Sequence, residues 1–378
     1  MIKSIEINNF KSFKMKTKID LERTNYQMLS STNISNHVLK GVMFVGANAS
    51  GKSNSILAIK FLLDCLFGKQ DVSIASFFCM FSEEPTMELH YTFEIEGETI
   101  QYYISFQKVN KMITEKLMLS GISILKREGK YAEVAIKEKT RHEDVPDNIL
   151  FLRDVYFSTK FRGNETLQKW FDFLSNSIYL DLYQRTLISY KDIDLSVKSY
   201  MENGGERKIN DFFDQYNFEQ NIEYNKDAAG PTVTVHADEK VIYFKRKGIE
   251  DPIPYAFEST GNRNLIHLLP AFFSCIENGG LLLLDEFSSG FHNDLEELLI
   301  RYFMQNAIHS QMFFVSHSTN LLSNSLLRPD QIYSVDFDKD GSHLKRFSSE
   351  KPREAQNLEK MYLSGIFNGV PRYENKSS

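Results

Sequence analysis

Gly41-Val-Met-Phe-Val-Gly46-Ala-Asn-Ala-Ser50-Gly51-Lys52-Ser53 decides the reading of this chain. The short apolar run Val42 to Val45 reads as a strand and is followed by a loop bounded by glycines. Ile56, Leu57, Ile59, Phe61, Leu62 and Leu63 then mark a helix. The loop fits G-x-x-x-x-G-K-[ST] in the strand–loop–helix order that the motif requires. Gly46 and Gly51 let the backbone turn tightly enough for successive N–H groups, through Ala47, Asn48, Ala49 and Ser50, to converge on phosphate oxygens. The helix that starts near Lys52 adds its positive dipole end, with Asn54 in its first turn. Lys52 supplies a mobile charge for the β- and γ-phosphates, and the Ser53 hydroxyl is a Mg²⁺ ligand. The alternative is a glycine-rich turn that merely contains Lys-Ser, and the flanking strand and helix weigh against it. The expected ligands are ATP and Mg²⁺; nothing in the sequence separates ATP from GTP.

The 378 residues leave room for one large domain or two modest ones. Hydrophobic residues at 42% and charged residues at 25% are those of a soluble globular protein. The formal charge of 44 − 50 = −6 gives no overall pull toward nucleic acid or a membrane. Cys65, Cys79 and Cys275 are scattered in apolar surroundings, which suits buried thiols in a reducing cytoplasm rather than disulfides or zinc. The first residues lack the apolar core of a signal peptide. Apolar runs such as Leu281 to Leu284 are too short to span a membrane. A cytoplasmic protein is expected.

Residues 2–8 and 15–21 alternate as two strands joined through Asn9-Phe10-Lys11-Ser12-Phe13. Met87, Leu89, Tyr91, Phe93 and Ile95 alternate with polar residues, and Ile100, Tyr102, Ile104 and Phe106 return with the same period. That pattern predicts an antiparallel meander, extended by strands in 111–138. From about 160 to 225 the pattern is helical, through Leu167, Trp170, Phe171, Leu174, Ile209, Phe212 and Phe213, without sustained heptads. Thr232 to Val235 and Val241 to Phe244 read as a hairpin. Then α/β alternation resumes: helix 264–277, strand 281–284, helix 291–306, strand 312–315, helix 319–326 and strand 331–335. The expected organisation is residues 1–155 and 229–371 as the two parts of one head, 156–228 as a helical insertion lobe, and 372–378 as a flexible tail.

Leu281-Leu-Leu-Leu-Asp285-Glu286 reads as a parallel strand, buried on both faces and ending in two carboxylates. Asp285 can hold the hydration shell of Mg²⁺ as a metal-site residue. Glu286, pointing differently, can orient or deprotonate the attacking water. Phe313-Phe-Val-Ser316-His317-Ser318 is another apolar strand with a polar tip; His317 can reach a γ-phosphate, although alone it reads as a satisfied loop histidine. His292 reads as a helix-start residue. Glu258-Ser259-Thr260-Gly261 precedes a helix, where Ser259 and Gly261 form either an anion site or a simple N-cap.

In this order, the segments at 9–13, 46–53, 258–261, 285–292 and 316–317 resemble the ABC-type ATPases of the RecF/SMC branch. The chain looks closest to the small AAA-annotated ATPases of bacterial phage-defence systems: the RloA-type, Septu, PARIS and retron-linked ATPases. Met361-Tyr-Leu-Ser-Gly-Ile-Phe-Asn-Gly369-Val-Pro371 is similar to the ending of that group. The resemblance implies an α/β fold: a P-loop parallel sheet plus an antiparallel β-subdomain, a helical insertion lobe and no long coiled coil. It also implies that Ser259 and Gly261 stand at the signature position, that His317 is the switch histidine, and that two heads sandwich two ATP molecules. Glu-Ser-Thr-Gly departs from the Leu-Ser-Gly-Gly of transporters and SMC heads. The Q-loop glutamine of the family has no clear counterpart in the sequence, with Gln168 a guess.

The expected function is that of a slow ATPase acting as a nucleotide-driven dimerisation switch in antiphage defence. As a homodimer or higher homo-oligomer it would control a separate effector, a nuclease or toxin, since the chain shows no nuclease motif of its own. The second reading is a RecF-like ATPase contacting DNA or RNA in repair or replication. In that reading Lys11, Lys14, Lys16, Lys18 and Lys245-Arg246-Lys247 would touch phosphates. A transporter subunit is disfavoured by the insertion and by Glu-Ser-Thr-Gly.

Overall fold

The computed structural model describes residues 1–70 and 72–370; the anticipated tail, 372–378, and Pro371 lie outside the described residues. The centre is a sheet of seven strands in the order Thr186–Ser189, Ile178–Asp181, Gly280–Asp285, Ser310–Val315, Gly41–Gly46, Ile332–Asp338, Gly341–Arg346. The five inner strands run parallel, and each edge strand is antiparallel to its neighbour. Strands covered on both faces must be apolar at every position, and Gly41–Gly46, Gly280–Asp285 and Ser310–Val315 are buried throughout.

Side chains that alternate along those strands divide the interior in two. Val42, Phe44, Leu281, Leu283, Phe313 and Val315 join one hydrophobic cluster with helix Lys52–Phe67 and the inner face of a second sheet. Met43, Val45, Leu282, Leu284, Met312 and Phe314 join the other cluster, with helices Thr260–Asn278 and Asn293–Asn306. The second sheet has eight antiparallel strands, from Thr17–Asp20 and Ile2–Asn8 through the meander Thr86–Ile95 and Glu98–Gln107 to Lys139–His142. The expected architecture, a P-loop parallel sheet beside an antiparallel β-subdomain, with no long coiled coil among the described residues, is the one observed.

Three local expectations require correction. Residues 156–228 carry helices Glu165–Ser175, Val197–Glu202 and Gly205–Gln215, but Ile178–Asp181 between them is a strand of the central sheet. A buried apolar run this short carries no periodicity that separates strand from helix. The hairpin read at 232–244 is instead one long strand, Thr234–Arg246, between Gln220–Ala229 and Ile249–Pro254. Its register shifts between Asn225, opposite Val241, and Asp227, opposite His236, so the polar middle bulges without turning back. The helix expected at 319–326 is a single 3₁₀ turn, Thr319–Leu321, because Ser323 and Ser325 hydrogen-bond locally and compete with helical pairing.

A buried ion pair joins the β-subdomain to the segment that follows it. Arg127, fully buried, donates to Glu115 at 2.9 Å and to the Ile149 and Gly129 carbonyls. Glu115 also accepts from the Tyr102 hydroxyl (2.6 Å) and from the backbone N–H groups of Phe151 (2.6 Å) and Leu152 (3.1 Å), at the start of helix Phe151–Thr159. Among the described residues, no helix is long and apolar enough to cross a membrane. Glu115→Ala leaves the Arg127 charge buried without its partner. It is expected to lower stability by about 3–5 kcal/mol in urea unfolding; a loss below ~1 kcal/mol, as at an exposed pair, would contradict this role for the pair.

Candidate nucleotide site

The parallel register brings the C-terminal ends of the inner strands to one edge, where open α/β sheets bind ligands. A cavity of about 1120 Å³ lies there, lined by Gly46, Lys52, Ser53, Asp285, Glu286 and His317 together with Asn48, Ala49, Gly51 and Asn54. The loop before the helix has two left-handed residues, Ala49 (φ 61°) and Gly51 (φ 102°). A Cβ on Gly51 would fall 2.2 Å from Ser342 Oγ and 2.6 Å from Ser12 Oγ, so glycine is required for space as well as for torsion. Ser12 belongs to the Asn9–Phe13 motif. It accepts from Asn54 (2.7 Å) and donates to Ser342 Oγ (2.7 Å), and Ser342 in turn donates to the Ser50 carbonyl (2.6 Å). The phosphate loop is thus braced by hydroxyls from both ends of the chain.

Lys52 donates to the carbonyls of Gly46 (3.1 Å) and Ala47 (2.7 Å), which keeps its charge folded over the loop. Burial lowers its pKa, and the Glu286 and Asp285 carboxylates oppose that shift. Ser53 Oγ donates to Asp285 at 3.0 Å. Burial raises the Asp285 pKa, the Ser53 hydrogen bond lowers it, and Asp181 and Glu286 add repulsion that raises it. Glu286, at φ 51°, is held in the left-handed region, so its carboxylate leaves the strand in another direction from that of Asp285. His317 Nε2 lies 3.8 Å from Glu286. Burial and the nearby Lys52 charge lower the His317 pKa, so the imidazole is neutral at pH 7.

These residues fit a triphosphate and its metal. Lys52, Gly46, Gly51 and the first turn of helix Lys52–Phe67 all line the cavity, a cation and a set of backbone donors suited to phosphate oxygens. No group of three or more His, Cys, Asp or Glu residues among the described residues can hold a metal ion by itself. Ser53 and Asp285 together give the sparse oxygen set with which Mg²⁺, retaining waters and phosphate oxygens, is bound.

Among the cavity residues that escaped the sequence reading as site residues are Asp181, Tyr183 and Gln184, at the end of strand Ile178–Asp181 and in the turn after it; Thr319, Tyr362, Leu363 and Val370 are others. Asp181 accepts from the Gln184 backbone N–H at 2.8 Å and fixes that turn. Gln168 lies elsewhere, on helix Glu165–Ser175, donating to the Lys160 carbonyl at 3.1 Å. Gln184, in the turn after the strand that pairs with Gly280–Asp285, is the glutamine that faces the cavity.

Ser259 and Gly261 do not line the cavity. Ser259 caps helix Thr260–Asn278, accepting from the Asn262 N–H at 3.2 Å, and the Cα of Gly261 packs on the Gly290 carbonyl, where a Cβ would approach to 2.4 Å. Asn264, one turn on, accepts from Arg185 (3.2 Å) and donates to the Ser289 carbonyl (2.8 Å). His292 caps helix Asn293–Asn306, its ring accepting from the Asp294 N–H at 3.3 Å.

Fold and cavity together define a P-loop domain with the fold of ABC/SMC ATPase heads. Over residues 119–323 the chain matches the family described as "AAA domain, putative AbiEii toxin, Type IV TA system", and it belongs to that family. No curated protein matches the sequence. Among solved structures, an SMC head bound to the C-winged helix domain of ScpA shares 15% identity at a TM-score of 0.52, with 91% of this chain and 96% of that chain covered. The SMC head of Pyrococcus furiosus, with an extended coiled coil and the C-terminal domain of ScpA bound, shares 13% identity at a TM-score of 0.52, with 97% and 99% covered. The SMC head of Thermotoga maritima shares 18% identity at a TM-score of 0.48, with 91% and 97% covered. At such identities the likeness is one of fold.

In nucleotide titrations with and without Mg²⁺, Ser53→Ala is expected to lose the gain in affinity that Mg²⁺ gives the wild type; an unchanged gain would remove Ser53 from the metal site. Gln184→Ala is expected to slow turnover while Gln168→Ala leaves it intact, measured as phosphate release; the reverse order would contradict the placement of Gln184.

Proposed function

We propose that this chain is an ATP-driven dimerisation switch, the sensor ATPase of a bacterial antiphage defence system that controls a separate effector, a nuclease or toxin. The observation that carries the reading is the separation of the two halves of the site. Phosphate loop, carboxylates and His317 meet in one cavity, while Ser259 and Gly261, at a helix N-terminus suited to an anion, face elsewhere. A second copy, docking its Ser259–Gly261 turn on the open side of the cavity, would complete the site.

In this mechanism the phosphate-loop N–H groups and Lys52 hold the β- and γ-phosphates, and Gly261 and Ser259 of the opposing head contact the γ-phosphate. Mg²⁺, held by Ser53 and through water by Asp285, would neutralise charge on the phosphate oxygens. Glu286 orients and deprotonates the attacking water, and the neutral His317 donates a hydrogen bond to the γ-phosphate. Hydrolysis removes the anion that bridges the heads and releases them. A family described as a putative toxin of toxin–antitoxin systems supports a role in defence. SMC heads with a ScpA domain bound support a fold that carries a protein partner.

The DNA-clamp reading gains less support. Lys14, Lys16, Lys18 and Lys245 each face a carboxylate, Arg246 pairs with the buried Glu258, and Lys11 donates to the Ser76 carbonyl. That surface carries balanced charge rather than a basic stripe.

Lys52→Ala and Ser259→Arg are each expected to abolish ATP hydrolysis alone. Mixed, they should recover part of it, because a mixed dimer keeps one intact site; no recovery would contradict the shared site. Capture of the chain from its native host is expected to bring a nuclease or toxin with it, and DNA without either would favour the second reading.

A further inference from the structure

Glu296 lies in the first turn of helix Asn293–Asn306, is 1% exposed, and has no hydrogen-bond partner on either carboxylate oxygen. Two hydroxyls lie beside it, and a third, that of Ser316, is hydrogen-bonded to the residues that carry them. Burial raises the Glu296 pKa, and the Ser318 and Ser288 hydroxyls, within reach of the carboxylate, lower it, yet their well-formed hydrogen bonds run elsewhere. Ser288 shares a hydrogen with Ser316, and Ser318 donates to Ser288 at 3.0 Å. Ser316 also accepts from the Ser318 N–H at 3.0 Å.

The place of these serines in the chain gives the cluster its meaning. Ser288 follows Glu286 by two residues and opens the turn whose Ser289 and Gly290 carbonyls meet Asn264 and Gly261. Ser316 and Ser318 flank His317. The cluster therefore ties the segment of the water-activating carboxylate to the segment of the γ-phosphate histidine, behind the cavity. A buried carboxylate with no partner destabilises the arrangement in which it is found, and an apolar side chain of similar size would pack there without that penalty. An acid beside two hydroxyls has its partners within reach after a small rotation of their torsions.

We propose that Glu296 is a positioning residue for hydrolysis. When the head closes on nucleotide, its carboxylate accepts hydrogen bonds from Ser288 and Ser318, and this draws the Glu286 and His317 segments into a single reactive arrangement. The proposal rests on the ATPase reading above. Glu296 touches no substrate atom. It acts through the serines, and the open arrangement stores the unpaired acid that closure satisfies.

The test compares purified full-length wild type, Glu296→Leu, Glu296→Gln and the double variant Ser288→Ala/Ser318→Ala in steady-state ATP hydrolysis and thermal melting. Misplacing a reactive group through its support lowers turnover by roughly 10- to 100-fold. Glu296→Leu is therefore expected to lose kcat on that scale with KM unchanged and with a melting temperature equal to or above the wild type's. Glu296→Gln, which keeps an acceptor, should recover most of the rate, and the serine double variant should lose as much as Glu296→Leu, with no further loss when the two are combined. A wild-type kcat in Glu296→Leu overturns the proposal, as does a fall in kcat matched by a fall in melting temperature that Glu296→Gln shares. If Glu296→Leu fails to fold, full activity in the serine double variant overturns it equally. A wild-type protein that binds ATP and never hydrolyses it would instead overturn the ATPase reading, a distinct result.

Discussion

The parallel pairing of Gly280–Asp285 with Ile178–Asp181 on one side and Ser310–Val315 on the other is the constraint on which the remainder depends. Parallel strands in register end together, so Asp181, Asp285, Val315 and Gly46 arrive at one edge and their loops share one cavity. Parallel strands also need crossover connections over the faces, and the helices that supply them cover both sides of the sheet. The Ser53–Asp285 hydrogen bond, spanning 232 residues of sequence, closes the phosphate loop onto that edge. A slip of a single residue in either pairing would turn the alternating leucines of 281–284 to the wrong clusters and part the two side chains.

The loops beyond the strands are stitched to one another rather than left free. Asn264 joins the turn after Gln184 to the turn after Glu286, and the serines around His317 join that same turn to the next strand. The helix that begins at Ser259 therefore cannot shift without moving groups that touch the cavity. Such linkage is what a switch needs: nucleotide chemistry at one place and a surface for a second copy at another, with a bistable connection between them. The left-handed torsion at Glu286 and the unpaired acid of Glu296 are local penalties close to the proposed catalytic groups, where strain is commonly retained for function.

The phosphate loop and the Asp285-Glu286 strand were legible in the sequence because phosphate geometry dictates their spacing and two-sided burial dictates their composition. The antiparallel meander was legible because one face of each strand is wet, which imposes the alternation from Met87 to Ile95. Gln184 was not legible, since the strand that places its turn has only four residues, all buried, and no periodicity. Nor were the Ser12–Ser342 brace, whose partners lie 330 residues apart, and the Ser288–Ser316–Ser318 cluster: both exist only through folding, and serines carry no pattern of their own. Strand Thr234–Arg246 was misread as a hairpin because a polar bulge and a polar turn look alike when the partner strand is unseen.

The most direct measurement is the molar mass of Glu286→Gln by light scattering, with and without ATP and Mg²⁺. Removing the general base leaves binding intact and blocks release. A nucleotide-driven switch predicts a shift from monomer to dimer mass only when ATP and Mg²⁺ are both present. A mass that never responds to nucleotide would contradict it and leave ATP as a structural ligand of a constitutive assembly.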